Sequence, residues 1–290
     1  MDGSPRHTYQ YDVDLSSDTA PARVIRMTGR GNKVLEIGAG PGSITRHLSG
    51  TNGCDVVALE VDPTAIEKLR PFCRKIYASD LNERDWPAVL ADEGKFDVVI
   101  AADVLEHLYD PLSALRGMAS LLNESGAVIL SLPHAGHCVI NACLMDEDFE
   151  YREWGLLDKT HIRFFGLKNI QSLYANAGLA ITDAQFVVRA PEETEFAERW
   201  KRLPAKVRDA LSSNPYSCIY QVVTKAEPVE RAVSAITLLD VPVEHRATDA
   251  FEQRAINPLR LAAASAARRC LSPNARLRVK SFAESMGIRL

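Results

Sequence analysis

No stretch of this 290-residue sequence is apolar for the roughly 18–20 residues that a membrane-spanning helix needs. Its opening, MDGSPRHTYQYDVD, is polar and lacks the apolar core of a secretory signal. Six cysteines (54, 73, 138, 143, 218 and 270) are scattered with no CxxC pair, which argues against a zinc ribbon or a disulfide framework. Reduced thiols in a cytoplasmic protein are expected instead. Positive charge is also short: 34 Lys and Arg stand against 38 Asp and Glu, a net −4. That balance gives no general attraction to nucleic acid or anionic lipid. The exception is local, because residues 253–290 hold eight bases and a single acid, Glu284. No internal repeat is visible.

What is present is an alternation. The runs KVLEIG (33–38), DVVALEVD (55–62), FDVVIAAD (96–103) and GAVILSLP (126–133) are apolar on both faces, as buried parallel strands are. Between them lie helical patterns, SITRHLS, PTAIEKLRPFC and PLSALRGMASLL, with Pro63 and Pro111 where two of them begin. A further helix, LKNIQSLYANAG, ends at Gly178 and leads to strands near 180–188 and 217–224. The order predicts an α/β fold with a doubly wound sheet. The pattern weakens around 225–250, so a domain over 1–225 is expected, followed by a helical, basic extension over 226–290.

The first strand runs into Glu36-Ile37-Gly38-Ala39-Gly40-Pro41-Gly42 ahead of a helix. Glycines at such a turn let a ligand approach bare backbone, and in open α/β sheets the turn lies where ligands bind. A dinucleotide fingerprint would need a third glycine at position 43, which is Ser43. Glu36 would repel a pyrophosphate but favour the α-ammonium group of S-adenosylmethionine. Glu60, 22 residues after Gly38, suits an acid that accepts from both ribose hydroxyls. Asp80, with Leu81 beside it, is expected at the end of the next strand, near the adenine amino group. Ala102 and Asp103 are expected to touch the cofactor through backbone, and Tyr11 and Tyr9 to fold over it or to pack a first amphipathic helix.

VLEIGAGPG and FDVVIAADVLEHLYDP resemble the class I S-adenosylmethionine-dependent methyltransferases over about residues 9–225. Within them, YQYDVDLSSDTAPARVI, SLPHAGH and GLLDKTHIRFF resemble a bacterial subgroup associated with glycosyltransferases and natural-product pathways. The resemblance implies a seven-stranded, mostly parallel, Rossmann-like sheet with its last strand antiparallel. His134 departs from that subgroup, which usually has Asn there, and this bears on the acceptor rather than the cofactor.

For a hydroxyl acceptor the enzyme must also remove a proton. His134 and His137 follow the fifth strand, and either one lies at the acceptor site or both bond to backbone. Their spacing would suit a metal, but no third ligand is evident, so no metal is expected. Glu106 and His107 read as residues that begin a helix and pack against the sheet. In DKTHIRFFG (158–166), Phe164 and Phe165 are expected to anchor the segment. Asp158 would then orient His161 as a general base, and Arg163 would bind an anionic group of the acceptor. The rival is structural: Asp158 pairs with Arg163, and His161 bonds to backbone. The expected function is methyl transfer to oxygen of a sugar or biosynthetic intermediate; N-methylation of an amine or an idle cofactor-binding partner protein are the alternatives. Expected partners are a small-molecule acceptor and a second copy of the chain, with membrane contact, if any, through the basic tail.

Overall fold

The computed structural model describes residues 10–243. Tyr9 and the basic segment after residue 250, for which a helix and membrane contact are expected, lie outside the described residues. Seven strands form one sheet: β1 (Lys33–Ile37), β2 (Asp55–Leu59), β3 (Lys75–Tyr77), β4 (Phe96–Ala102), β5 (Leu122–Pro133), β6 (Leu179–Val188) and β7 (Ile219–Pro228). Their order is β3-β2-β1-β4-β5-β7-β6, with β7 antiparallel to both its neighbours and the other pairings parallel. The doubly wound sheet expected from the alternation is therefore present, with the antiparallel strand that the resemblance implied.

Helices cover both faces. On one lie α1 (Ala20–Thr28) and α2 (Thr45–Gly50), where Val24, Ile25 and Leu48 pack with Val34, Val56, Ile100 and Val223. After β2 comes α3 (Pro63–Leu69), whose start is capped by Asp62 accepting from Thr64 N. The other face carries α4 (Pro111–Ser120) and, after α5 (Cys138–Met145), α6 (Leu167–Asn176). There Leu115, Met118, Ile170 and Tyr174 join Leu35, Ile37, Val99 and Leu130. Burial on both faces is why β1 and β4 read as unbroken apolar runs rather than alternating ones.

The compact body extends beyond the boundary expected at 225. Strand β7 continues to Pro228, Ile236 N donates to Ile181 O, and Leu238 is buried in the core. Short, partly polar segments without periodicity gave no sign of this packing. Among the described residues no helix is long and apolar enough to cross a membrane.

Candidate active site at the carboxyl edge of the sheet

The sheet order reverses at β1, with β2 on one side and β4 on the other. The turns after β1 and β4 therefore splay apart into a crevice, the usual ligand position in this architecture. Gly38, Gly40 and Gly42 all adopt positive φ (65°, 56° and 88°), which L side chains rarely do. Their surroundings differ. A Cβ on Gly38 would lie 2.7 Å from Val104 Cγ2, and one on Gly42 would lie 2.9 Å from the Phe72 ring, whereas Gly40 faces open space within 4 Å. Gly38 and Gly42 thus let the loop pack, and Gly40 presents bare backbone to a ligand.

Glu60 closes β2, and three backbone donors hold its carboxylate: Gly40 N at 2.7 Å, Val61 N at 2.7 Å and Asp62 N at 2.8 Å. The acid is locked against the glycine loop, where ribose hydroxyls were expected. Glu36 is 3% exposed, and its Oε2 has no hydrogen-bond partner. Burial, reinforced by the Glu60 charge and opposed by Thr45, pushes its carboxyl up to about 8. Tyr11 is held beside the glycine loop, its backbone N donating to Ser43 Oγ and its carbonyl accepting from Arg46. Tyr11 is 43% exposed overall, but partial desolvation of its phenol, with the nearby charges of Asp103 and Glu36, raises its pKa.

Asp80 differs from expectation in place. Strand β3 ends at Tyr77, and Asp80 lies in the exposed turn beyond it, its Oδ1 accepting from Asn82 N and Nδ2. Leu81 packs partly against the core. Across the crevice β4 ends at Ala102, and Asp103 follows at φ 53°, an uncommon conformation for a residue with a side chain. Its carboxylate accepts from Ser131 Oγ at 2.8 Å and from Gln221 Nε2 at 2.9 Å, with burial raising its pKa.

Beside Asp103 the structure assembles a cluster that the sequence did not announce. Glu106 is fully buried, and neither carboxylate oxygen has a partner. Burial and the charges of Asp103 and Asp158 raise its pKa well above the carboxylate range. Its backbone carbonyl accepts from both Ile162 N (2.9 Å) and Arg163 N (3.0 Å), which clamps the 158–166 segment onto this turn. His161 is thereby placed with Nε2 3.9 Å from Glu106 Oε1 and its ring edge-on to His107, centroids 4.8 Å apart. Burial and the neighbouring His107 lower the His161 pKa to about 4, so the imidazole is neutral at pH 7.

Other expectations for this segment change. Asp158 is buried with Oδ1 accepting from Thr160 N and Oγ1, a turn-forming role, and its charge also favours the protonated form of His161. Arg163 donates to the Tyr109 carbonyl and is otherwise exposed. Of the two phenylalanines only Phe165 is buried; Phe164 is 40% exposed, edge-on to Phe149, which in turn meets Tyr151.

His134 and His137 are both buried. His137 Nδ1 accepts from Val139 N, and Nε2 lies 3.1 Å from the Arg189 carbonyl, to which it must donate. Both ring nitrogens are committed, and burial lowers its pKa to about 4. His134 Nδ1 bonds the Ile219 carbonyl at 3.1 Å, while Nε2 packs over Gly136. The backbone-bonded alternative describes both residues, and the catalytic role expected of them is not supported by these bonds.

A family described as Methyltransferase domain matches residues 9–184. The chain belongs to this family. The cofactor of this methyltransferase is S-adenosylmethionine. Among curated proteins, the Ubiquinone biosynthesis O-methyltransferases of Escherichia fergusonii and Pectobacterium carotovorum are 30% and 29% identical over 103 residues. That match is 35% of this chain and spans 42% and 43% of those relatives, less than half their length. Similar solved structures include a possible histamine N-methyltransferase from Thermotoga maritima (TM-score 0.48, 14% identity, 72% of this chain and 87% of that one). Another is magnesium protoporphyrin IX methyltransferase from Synechocystis (TM-score 0.46, 14% identity, 71% and 78%).

The crevice fits this cofactor. A cationic ammonium would satisfy the orphaned Glu36 Oε2, and the open face of Gly40 leaves room for the methionine part. A pH dependence follows. Without ligand, Glu36 keeps its proton up to about pH 8, while the unfolded chain loses it near 4.5. Ligand-free stability therefore falls as pH rises through that window. Binding a cation beside Glu36 favours the charged form, so the proton leaves. Affinity is expected to rise with pH below 8, by at most about tenfold per unit. Calorimetry at pH 7 in buffers of different ionisation enthalpy should show proton release that is lost in Glu36→Gln; identical release in that variant would remove Glu36 from the ammonium site.

Proposed function

We propose that this methyltransferase acts on a small-molecule acceptor and transfers the methyl group to oxygen. One observation carries this reading: the neutral His161 and its neighbour His107 stand beside the buried Glu106 at the sheet edge that also holds the glycine loop. S-adenosylmethionine, when bound, supplies an electrophilic methyl group on a sulfonium. The chain must align a nucleophile with it, exclude water and, for a hydroxyl, manage a proton. A neutral amine is already nucleophilic and needs less help from such a cluster, which is why oxygen is preferred to nitrogen. The partial likeness to proteins named O-methyltransferases is in keeping with this.

Aromatic side chains, one of them three residues beyond His161, also speak to the acceptor. Phe164, Phe149 and Tyr151 form an edge-to-face row, with Ile162 exposed nearby in sequence. Aromatic faces stack on flat or apolar ring surfaces, so a hydroxylated ring, of a sugar or a biosynthetic intermediate, is the acceptor this row favours. Incubation with S-adenosylmethionine and a panel of hydroxylated and aminated rings, read by S-adenosylhomocysteine formation, tests the proposal. Turnover on hydroxyl acceptors is expected. Turnover on amines alone would move the reading to nitrogen, and none with any acceptor would favour the idle binding partner.

A further inference from the structure

We propose that Glu106, His107 and His161 form a binding site for a divalent first-row transition-metal cation. The site rests on the reading above only for its adjacency to the acceptor; cation binding itself is a property of these three side chains. Their ligand atoms all lie within 4.8 Å of one another. Glu106 is 1% exposed with both carboxylate oxygens unpartnered. Leaving such a group unsatisfied costs its full desolvation with no bond in return, and native structures seldom keep one without a use.

The histidines are arranged as metal ligands are. His107 Nδ1 lies 3.2 Å from the Thr160 carbonyl, to which it can only donate, so Nε2 carries the free lone pair. His161 turns Nε2 toward Glu106. Backbone carbonyls that bond one ring nitrogen while the other faces the ion are the usual outer partners of metal-binding imidazoles. The clamp from Ile162 N and Arg163 N to the Glu106 carbonyl holds the two halves of the cluster together across 55 residues of sequence. Around an ion with bonds of about 2.1 Å, tetrahedrally disposed donors sit about 3.4 Å apart. Closing to that separation needs inward movement of the side chains, including the Glu106–His161 pair at 3.9 Å.

The donor set decides the class of ion. Two imidazoles and one carboxylate suit zinc, cobalt, iron or manganese, whereas calcium and magnesium favour oxygen alone and thiolate sites select soft ions. Three protein ligands leave a coordination position for water or an acceptor oxygen. Asp103 is already engaged by Ser131 and Gln221 and is not needed as a ligand.

The test uses the full-length protein, dialysed against a chelator and titrated with Co²⁺ while its visible absorption is recorded. One equivalent of tightly bound Co²⁺, displaced by Zn²⁺, is expected. Glu106→Gln, nearly isosteric, and His161→Ala should each weaken binding by more than the roughly 10–100-fold that loss of an outer hydrogen-bond partner costs. His47→Ala, on α2, should bind as the parent does. Thermal melts and S-adenosylmethionine calorimetry accompany each variant, so that a folded, cofactor-binding protein without cation is recognised as such. No stoichiometric Co²⁺ uptake, or equal uptake by the folded Glu106→Gln protein, overturns the site. Failure of the parent to bind S-adenosylmethionine would instead strike the functional reading.

Discussion

His161→Ala is expected to lower kcat by about 10²–10⁴ while S-adenosylmethionine affinity stays near that of the parent. The ring sits at the carboxyl edge beyond β4, 3.9 Å from Glu106 and edge-on to His107, whereas the glycine loop and Glu60, expected to hold the cofactor, belong to the turns after β1 and β2. Whether the imidazole takes the proton itself or holds a cation that eases its loss, removing it strips the acceptor side and spares the cofactor side. Cofactor calorimetry and a thermal melt on the same preparation separate this from unfolding. A folded variant that binds cofactor and keeps more than about a third of its turnover would assign His161 to structure, since general acid–base groups contribute far more than threefold.

Gly40→Val should cost about 100-fold or more in cofactor affinity, roughly 3 kcal/mol. The protein leaves the space in front of Gly40 empty, so the added side chain meets the ligand rather than the fold. Gly38→Ala provides the contrast. Its Cβ would meet Val104 Cγ2 at 2.7 Å, so that variant should lose melting temperature first. Both positions share a strained φ, worth about 1–3 kcal/mol, and the difference between them isolates the ligand. Glu60→Ala removes bonds involving a charged group, about 1.5–3 kcal/mol, and should weaken binding by about one to two decades. It also strands three backbone donors, so its melt should fall as well. Unchanged affinity in both Gly40→Val and Glu60→Ala would overturn the cofactor site.

The cofactor side was legible because its signals are local. A glycine at positive φ, a proline opening a helix and an acid closing a strand each act within a few residues of themselves, as Gly40, Pro63 and Glu60 do. Asp80 was misplaced because β3 is only three residues long, too short for apolar periodicity to mark its end. The acceptor side was legible only as a list of residue types. His137 looked available, but its nitrogens are taken by Val139 N and by the carbonyl of Arg189, 52 residues away. Phe164 and Phe165 are indistinguishable in sequence. Phe165 is buried, where its backbone pairs with His134 and Ala135, and Phe164 is left at the surface.

By itself, then, the sequence determined the α/β alternation, the doubly wound class and the glycine loop with its acid, because apolar period and backbone permissiveness are properties of short segments. Only the tertiary structure decided which distant side chains converge. Glu106 and His107 read as helix-starting residues until the chain returned 55 residues later and two backbone donors, Ile162 N and Arg163 N, locked onto one carbonyl. That closure buries a carboxylate whose oxygens have no hydrogen-bond partner and brings ligand atoms of two imidazoles within 4.8 Å of it. Burial and convergence of this kind depend on distances between segments, and a linear pattern of residue types carries no record of them.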